Sequence, residues 1–129
     1  MSVEAVAALL EGSQVATRGT DLYLHVLPDT PNNVVAVNRY GGPPPVYVHD
    51  HAGPRLDPIA FQVVVRNTDV VAAEATAVAA YRCLAAVDAA VVAGVNIISI
   101  RPDQVPFPME RDDNGRFVWV CNYVMTTEV

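Results

Sequence analysis

The sequence predicts a single α+β domain in which a mixed, mainly antiparallel sheet packs against one long and one short helix. Segments with alternating apolar and polar residues, the pattern of strands, lie on both sides of one long stretch with helical periodicity. The strands therefore come in groups around that helix, which favours α+β over a regular alternation of strands and helices. The length of 129 residues fits one domain over residues 1–129 with one core.

The N-terminal part predicts a short helix followed by two strands. Residues 3–11 place apolar side chains on one stripe, and Ser2 and Gly12 have the residue types that begin and end helices. Residues 21–27 and 34–40 alternate as strands do. The intervening segment is a loop by its proline and asparagine content.

The middle of the chain contains its clearest strand. Residues 59–67 alternate regularly, with Phe61, Val63 and Val65 on one face. Before them, residues 46–57 are ambiguous, because a short edge strand over 46–49 is followed by a histidine, a glycine and prolines that interrupt it.

A long helix is predicted over residues 69–91, with Thr68 as its cap. Its inner stripe consists of Val70, Ala73, Ala77, Ala80, Tyr81 and Leu84. Asp88 falls on the same stripe, so the helix bends, ends early or presents Asp88 to a partner. Residues 95–100 predict a further strand and residues 101–113 a proline-bearing loop.

The C-terminal strand follows an Asn114-Gly115 dipeptide, a pair typical of tight hairpin turns. Alternation places Phe117, Trp119, Cys121, Tyr123 and Met125 on one side and Arg116, Val118, Val120, Asn122, Val124 and Thr126 on the other. We interpret the aromatic side as core and the second side as a contact with a neighbouring subunit. The predicted core residues are Phe61, Val63, Val65, Tyr81, Leu84, Phe117, Trp119 and Tyr123.

Composition disfavours several classes of function. All eight basic residues are arginine and the formal net charge is −6, which argues against an affinity for nucleic acid based on phosphate neutralisation. The most apolar stretch, residues 83–95, is too short to span a membrane, and the N-terminus lacks the basic region of a signal peptide. A cytoplasmic product without membrane contact is expected. Cys83 and Cys121 are expected to be small buried hydrophobes.

A metal site is the sharpest chemical candidate. His49 and His51 point to the same side of an extended chain, and Asp57 supplies a nearby carboxylate. The alternative is a solvated polar loop. A small metal-binding enzyme using these residues is the hypothesis from a different functional class.

No catalytic set is otherwise predicted. Serines are few and none lies in a Gly-x-Ser-x-Gly elbow, and Cys83 lies within an apolar helix. Gly41 and Gly42 lead into prolines rather than into a helix that would bind phosphate. We therefore predict no enzyme and no cofactor.

Two proline-rich loops carry apolar side chains, including Tyr47, Phe107 and Met109. Such side chains either contact a partner or fold back over the sheet of their own chain. The predicted subunit or partner contacts are Arg66, Tyr47, Phe107, Met109, Arg116 and Asn122.

Four segments in this order resemble the tail terminator proteins of long-tailed bacteriophages, a group that overlaps phage minor capsid and tail completion proteins. They are LPDTPNNVVAV at residues 27–37, YGGPP at 40–44, FQVVVR at 61–66 and DNGRFVWVCNY at 113–123. The segment from Val46 to Asp57, with its histidines, matches no family motif.

The resemblance implies a small virion protein, assembled in the host cytoplasm, that forms a ring on the end of the tail tube. The ring, typically a hexamer, stops polymerisation and joins the connector of the head. The implied partners are copies of the chain, the major tail tube protein and the connector or stopper protein. DNA would pass through the lumen without specific binding, and no cofactor or catalysis is implied. The alternative within the same class is a connector or stopper subunit on the head side.

Overall fold

Two helices and a curled mixed sheet of eight strands form the part of the chain that the computed structural model describes, residues 2–41, 46–47 and 55–128. The helices are α1 (Ser2–Gly12) and α2 (Val70–Ala85), of 11 and 16 residues. The strands are β1 (Leu22–Leu24), β2 (Val34–Tyr40), β3 (Val46–Tyr47), β4 (Arg55–Asn67), β5 (Asp88–Val92), β6 (Val95–Pro102), β7 (Phe107–Pro108) and β8 (Phe117–Glu128). The predicted α+β class with a mixed sheet is confirmed.

The sheet is organised around β4 and β8, which pair antiparallel from Leu56 opposite Glu128 to Asn67 opposite Phe117. The main strand order is β1-β2-β4-β8-β6-β5, with β3 beside β4 and β7 beside β8. Only β1 and β2 are parallel among these pairs. The sheet curls far enough for α1 to contact β1 and β2 near one edge and β5 at the other.

One face of the sheet packs on the helices and forms the main core. Phe61 and Tyr123, on adjacent strands, stack with ring centroids 5.1 Å apart and planes inclined by 11°. Alanines on the inner side of α2 leave room for these rings, because small side chains let the helix approach the sheet closely. The buried residues of this core include Val6, Leu10, Val37, Phe61, Val63, Val65, Ala77, Leu84, Ile97, Cys121, Tyr123 and Met125.

Three of the predicted core residues are only partly buried. Tyr81 and Trp119 pack against the main core with part of their surface exposed. Phe117 lies outside both buried clusters, and the guanidinium carbon of Arg111 lies 4.2 Å from the centre of its ring. The prediction of Phe117 as core was therefore wrong, because it lies where β8 emerges from the hairpin and stacks on a surface cation instead.

The opposite face of the sheet has a smaller apolar cluster. Ala36, Val64 and Val120 are buried there on three adjacent strands. Phe107 packs against them from β7, beside Val118. The loop predicted over residues 101–113 thus contains the end of β6 and the short strand β7, which returns one apolar side chain to its own sheet.

The second helix is shorter than predicted. It ends at Ala85, and residues 88–92 form strand β5 instead of continuing the helix. Its cap is Asp69 rather than Thr68, because the carboxylate of Asp69 accepts a hydrogen bond from the amide of Val71 at 3.1 Å. The first strand is also shorter than predicted and ends at Leu24, where the next residue, His25, adopts a φ of 64°.

The turn before β8 differs from the predicted Asn-Gly hairpin turn. The amide of Gly115 donates to the carbonyl of Asp112 at 2.9 Å, so Asp113 and Asn114 are the central residues of the turn. Gly115 follows with a φ of 74°, the left-handed conformation that glycine adopts without steric cost. The sequence located this turn correctly but misassigned its centre by one residue.

Ala93 is the first central residue of the tight turn between β5 and β6, and its φ is 50°. The left-handed conformation strains alanine by about 1–2 kcal/mol, whereas glycine adopts it freely. We expect Ala93→Gly to raise the free energy of unfolding by about 0.5–1 kcal/mol after the entropy of the unfolded glycine is deducted. Chemical denaturation measures the change.

The matched control is Ala75→Gly on the exposed side of α2, which should lower the free energy of unfolding by about 1 kcal/mol. If both glycines destabilise the protein equally, the strain assigned to Ala93 is refuted.

Candidate functional site

Two buried arginines hold the loop between β1 and β2, residues 28–33. Arg66, near the end of β4, is 3% exposed. Its guanidinium donates to the carbonyls of Pro28 at 2.5 Å and Pro31 at 2.7 Å through Nη2, and to that of Asn32 at 3.1 Å through Nε. A longer contact of 3.4 Å reaches the carbonyl of Asp29. One side chain thus supplies hydrogen-bond donors to most of a loop that contains two prolines.

Arg116 binds the same loop from the hairpin before β8. Its Nη1 donates to the carbonyl of Asp29 at 2.6 Å, and its Nη2 pairs with the Asp29 carboxylate at 3.0 Å. Its Nε donates to the carboxylate of Asp112 at 2.7 Å. The other oxygen of Asp112 accepts from the amides of Asn114 and Arg116, which fixes the hairpin turn. We call Arg66, Arg116 and the loop over residues 28–33 the arginine clamp.

Charge in the arginine clamp is balanced within the chain. Burial and the neighbouring cation of Arg116 lower the pKa of Arg66, whereas Asp112 and Asp29 raise it. Burial of the Asp112 carboxyl favours its neutral form, but the hydrogen bonds and charge of Arg116 outweigh this and hold the pKa of Asp112 below its ordinary value. The guanidinium groups are engaged by carbonyls and carboxylates, so the clamp acts as a scaffold rather than as a binding site for an anion.

The arginine clamp also fixes the start of α2. The side-chain oxygen of Asn33, which ends the loop, accepts from the amide of Thr68 at 3.0 Å. Three of the four family-like segments therefore meet in space, namely residues 27–37, 61–66 and 113–123. Their polar residues stabilise one junction of the fold.

This geometry corrects the role predicted for Arg66 and Arg116. Both side chains are buried and bound within the monomer, whereas contact with a neighbouring subunit would require them at the surface. Sequence reasoning missed the clamp because most of the groups that the two arginines bind are backbone carbonyls, which have no residue signature. The one available signal was the presence of the same two arginines in separate family-like segments.

The other predicted contact residues occupy different places. Asn122 lies in a shallow groove on the helix-free face, where its side-chain oxygen accepts from Gln62 at 3.0 Å and Asn38 and Tyr40 complete the lining. Met109 is 54% exposed beyond β7, and Phe107 packs on the second apolar cluster. The side chain of Tyr47 lies outside the described residues.

The predicted metal candidates are not brought together by the described structure. His49 and His51 lie outside the described residues, and Asp57 lies on β4, half-buried. Within residues 2–41, 46–47 and 55–128, no group of three histidine, cysteine, aspartate or glutamate side chains converges as a metal site would require. Both cysteines are free thiols, and burial raises the pKa of Cys121.

An exposed apolar surface on α2 was not predicted. The outer side of this helix forms a groove of about 490 Å³ lined by Val71, Glu74, Ala75, Val78, Ala79 and Arg82. Val71 is 72% exposed. The predicted inner stripe covers one side of this helix, but the remaining positions are also mainly apolar, and their alanines allow close approach of a sheet or a neighbouring chain.

Comparison with known proteins decides the family. The family model of the bacteriophage tail terminator protein matches residues 9–129. The chain belongs to this family. It is accordingly a structural protein of the phage tail in the virion, and not an enzyme.

A solved structure has the same fold. It is a chain of the "Virion of native gene transfer agent (GTA) particle", with a TM-score of 0.61 at 15% identity over 96% of this chain and 94% of that one. No curated protein matches the chain. None of the helices in the described part of the tail terminator protein is long and apolar enough to cross a membrane.

The arginine clamp predicts a large stability effect for Arg66→Met, which keeps a long side chain but removes every donor. Carbonyls of Pro28, Pro31 and Asn32 lose the charged donor that a buried arginine supplies, so we expect the free energy of unfolding to fall by about 2–4 kcal/mol. Arg39→Met, at an exposed arginine of β2, is the matched control and should change it by less than about 0.5 kcal/mol. Equal effects in denaturant unfolding would show that the clamp contributes no special stability.

A second prediction concerns acid. The ordinary pKa of an aspartate carboxyl is 3.8, and the contacts of Asp112 with Arg116 hold the pKa of Asp112 below this value in the folded protein. The resulting stability is fully present above pH 3.8 and is lost as the pH falls through the lower folded value. We expect Asp112→Asn to make the melting temperature less dependent on pH below this point. The exposed Asp113→Asn is the control, and an equally flattened profile in that variant would contradict the assignment.

Proposed function

We propose that this tail terminator caps the tail tube as a ring of six copies, ends polymerisation of the tube and provides the surface that joins the head connector. The observation that carries the proposal is the match of the family over residues 9–129. The partners would be further copies of the chain, the major tail tube protein and the connector or stopper protein. The chain would act as a single domain over residues 1–129.

The distribution of chemistry in the fold supports a role based on surfaces. The clustered charges of the arginine clamp are occupied by contacts within the chain. The segment between β6 and β8, by contrast, exposes apolar side chains, with Val105 66% and Met109 54% exposed. Two large apolar side chains exposed on one short segment, rather than scattered singly, favour a surface that a partner covers.

We assign the contact with the tube to this segment. The backbone of Met109 is fixed because its amide donates to the carbonyl of Val118 at 2.8 Å, and Phe107 is anchored in the second apolar cluster. A preordered apolar contact loses little entropy when a partner covers it. Asn122, on the same helix-free face of β8 as Val120, would supply polar contacts at the margin.

The arginine clamp would support the assembly indirectly. It fixes the hairpin that carries the exposed segment, since Arg116 and Asp112 bind each other across the turn. DNA would pass through the ring without specific binding, in keeping with the net charge of −6, which repels phosphates.

The test uses purified protein and purified tail tube protein with Met109→Glu. We expect the native chain to form rings and to limit the length of tubes in negative-stain images, and the variant to lose most of both effects while remaining folded. A buried charge at a contact costs more than the surface contact gains, so a loss of at least tenfold in capping is expected.

Val26→Glu is the matched control, because Val26 is 52% exposed but lies on a different loop. It should cap normally. Capping that survives Met109→Glu would refute the assigned surface. Binding to isolated heads but not to tubes would refute the terminator role and indicate a stopper on the head side.

A further inference from the structure

The outer side of α2 has an unusual composition for a surface helix. Among its 16 residues, only Glu74 and Arg82 are charged. The inner side is buried against the core through Ala73, Ala77, Ala80 and Leu84. A helix that is apolar on all sides is typical of a buried element, whereas Val71 on the outer side is 72% exposed. This helix therefore has the composition of one that is covered on both sides.

The outer side is shaped for another helix. Ala75 and Ala79 lie one turn apart and both line the groove, with Val71 and Val78 beside them. Small side chains at such positions allow two helix axes to approach to about 8 Å, and larger neighbours fill the space on either side. An apolar helix of similar length fits this surface better than a polar loop does.

The charges of Glu74 and Arg82 indicate which helix would cover this surface. Glu74 and Arg82 are eight residues apart and line the same groove, about 12 Å from each other along the axis. Val78 lies midway between them. If a second copy of α2 lies antiparallel with Val78 at the centre, each Glu74 faces the Arg82 of the other chain. A parallel copy would instead place like charges opposite each other.

We propose that the outer face of α2 is the contact of a two-fold dimer of this chain. The contact is isologous, so it closes after two chains. Neighbours in a ring related by rotation present different patches to each other and cannot make it. The dimer is therefore a state of the free protein in which the apolar face of α2 is covered. The proposal of this dimer does not depend on the proposed ring, and the two are tested separately.

The experiment exchanges the charges one at a time. Glu74→Arg leaves two cations opposite each other in a homodimer, and Arg82→Glu leaves two anions. In sedimentation equilibrium over a concentration series, each variant alone should dimerise about tenfold more weakly than the native chain. An equimolar mixture of the two variants should recover the native affinity, because each mutated site then faces its opposite charge.

The readouts separate a surface effect from misfolding and from ring assembly. Both positions are exposed, so circular dichroism should show a native helix content for each variant. Recovery in the mixture supports the dimer. A native chain that stays monomeric at its highest soluble concentration overturns it, as does a mixture that associates no better than its components. Capping of tail tubes should be the same for the native chain and for both variants, and loss of capping in either one would assign α2 to the ring instead.

Discussion

The fold depends on the hydrogen bonds that two guanidinium groups donate to the backbone carbonyls of one loop. Strand β1 has three residues and is parallel to β2, so the chain must return along the sheet through the loop over residues 28–33. Its carbonyls belong to no strand pairing. Arg66 and Arg116 supply the missing donors, and the planar fork of arginine allows one side chain to reach several acceptors. Without them the β1 edge, the start of α2 and the final hairpin would lose their common support.

The strands were predictable where alternation dominates. The bounds of β2 agree with the predicted residues 34–40, and β4 contains the predicted residues 59–67. The end of α2 was not predictable from the sequence. The residues that follow it are mostly alanine and valine, which continue a helical pattern as readily as they begin a strand. What decides is the tertiary context: β5 pairs with β6 across a turn at Ala93 and Gly94, both with positive φ. Nothing in the composition signals that pairing.

The candidate site was predicted in its residues but not in its arrangement. Alternation placed Arg116 on the side of β8 away from the main core, where polar residues usually face solvent or a partner. The structure buries Arg116 because a loop from far earlier in the chain covers that end of the sheet. Asp29 of this loop, 87 residues away, is one of the two carboxylate partners of Arg116. A contact of this separation leaves no local pattern. The residues on both sides of the contact do, however, lie in the family-like segments. These segments were therefore informative although the sequence did not show that they meet.

The similar hydrophobicity of the two faces of α2 explains why the end of this helix was predicted wrongly. It also explains why the outer face is an exposed apolar surface. Its inner face is built of Ala73, Ala77 and Ala80, and its outer face of Ala75, Ala79 and valines, so the two faces differ little in hydrophobicity. The predicted inner stripe agrees with the buried residues Ala73, Ala77, Ala80 and Leu84. The end of a helix with such uniform sides, however, cannot be located by a loss of amphipathicity. The structure breaks this symmetry by covering one face with the sheet. The other face has the composition of a buried surface although it is exposed. This composition favours a contact with another chain.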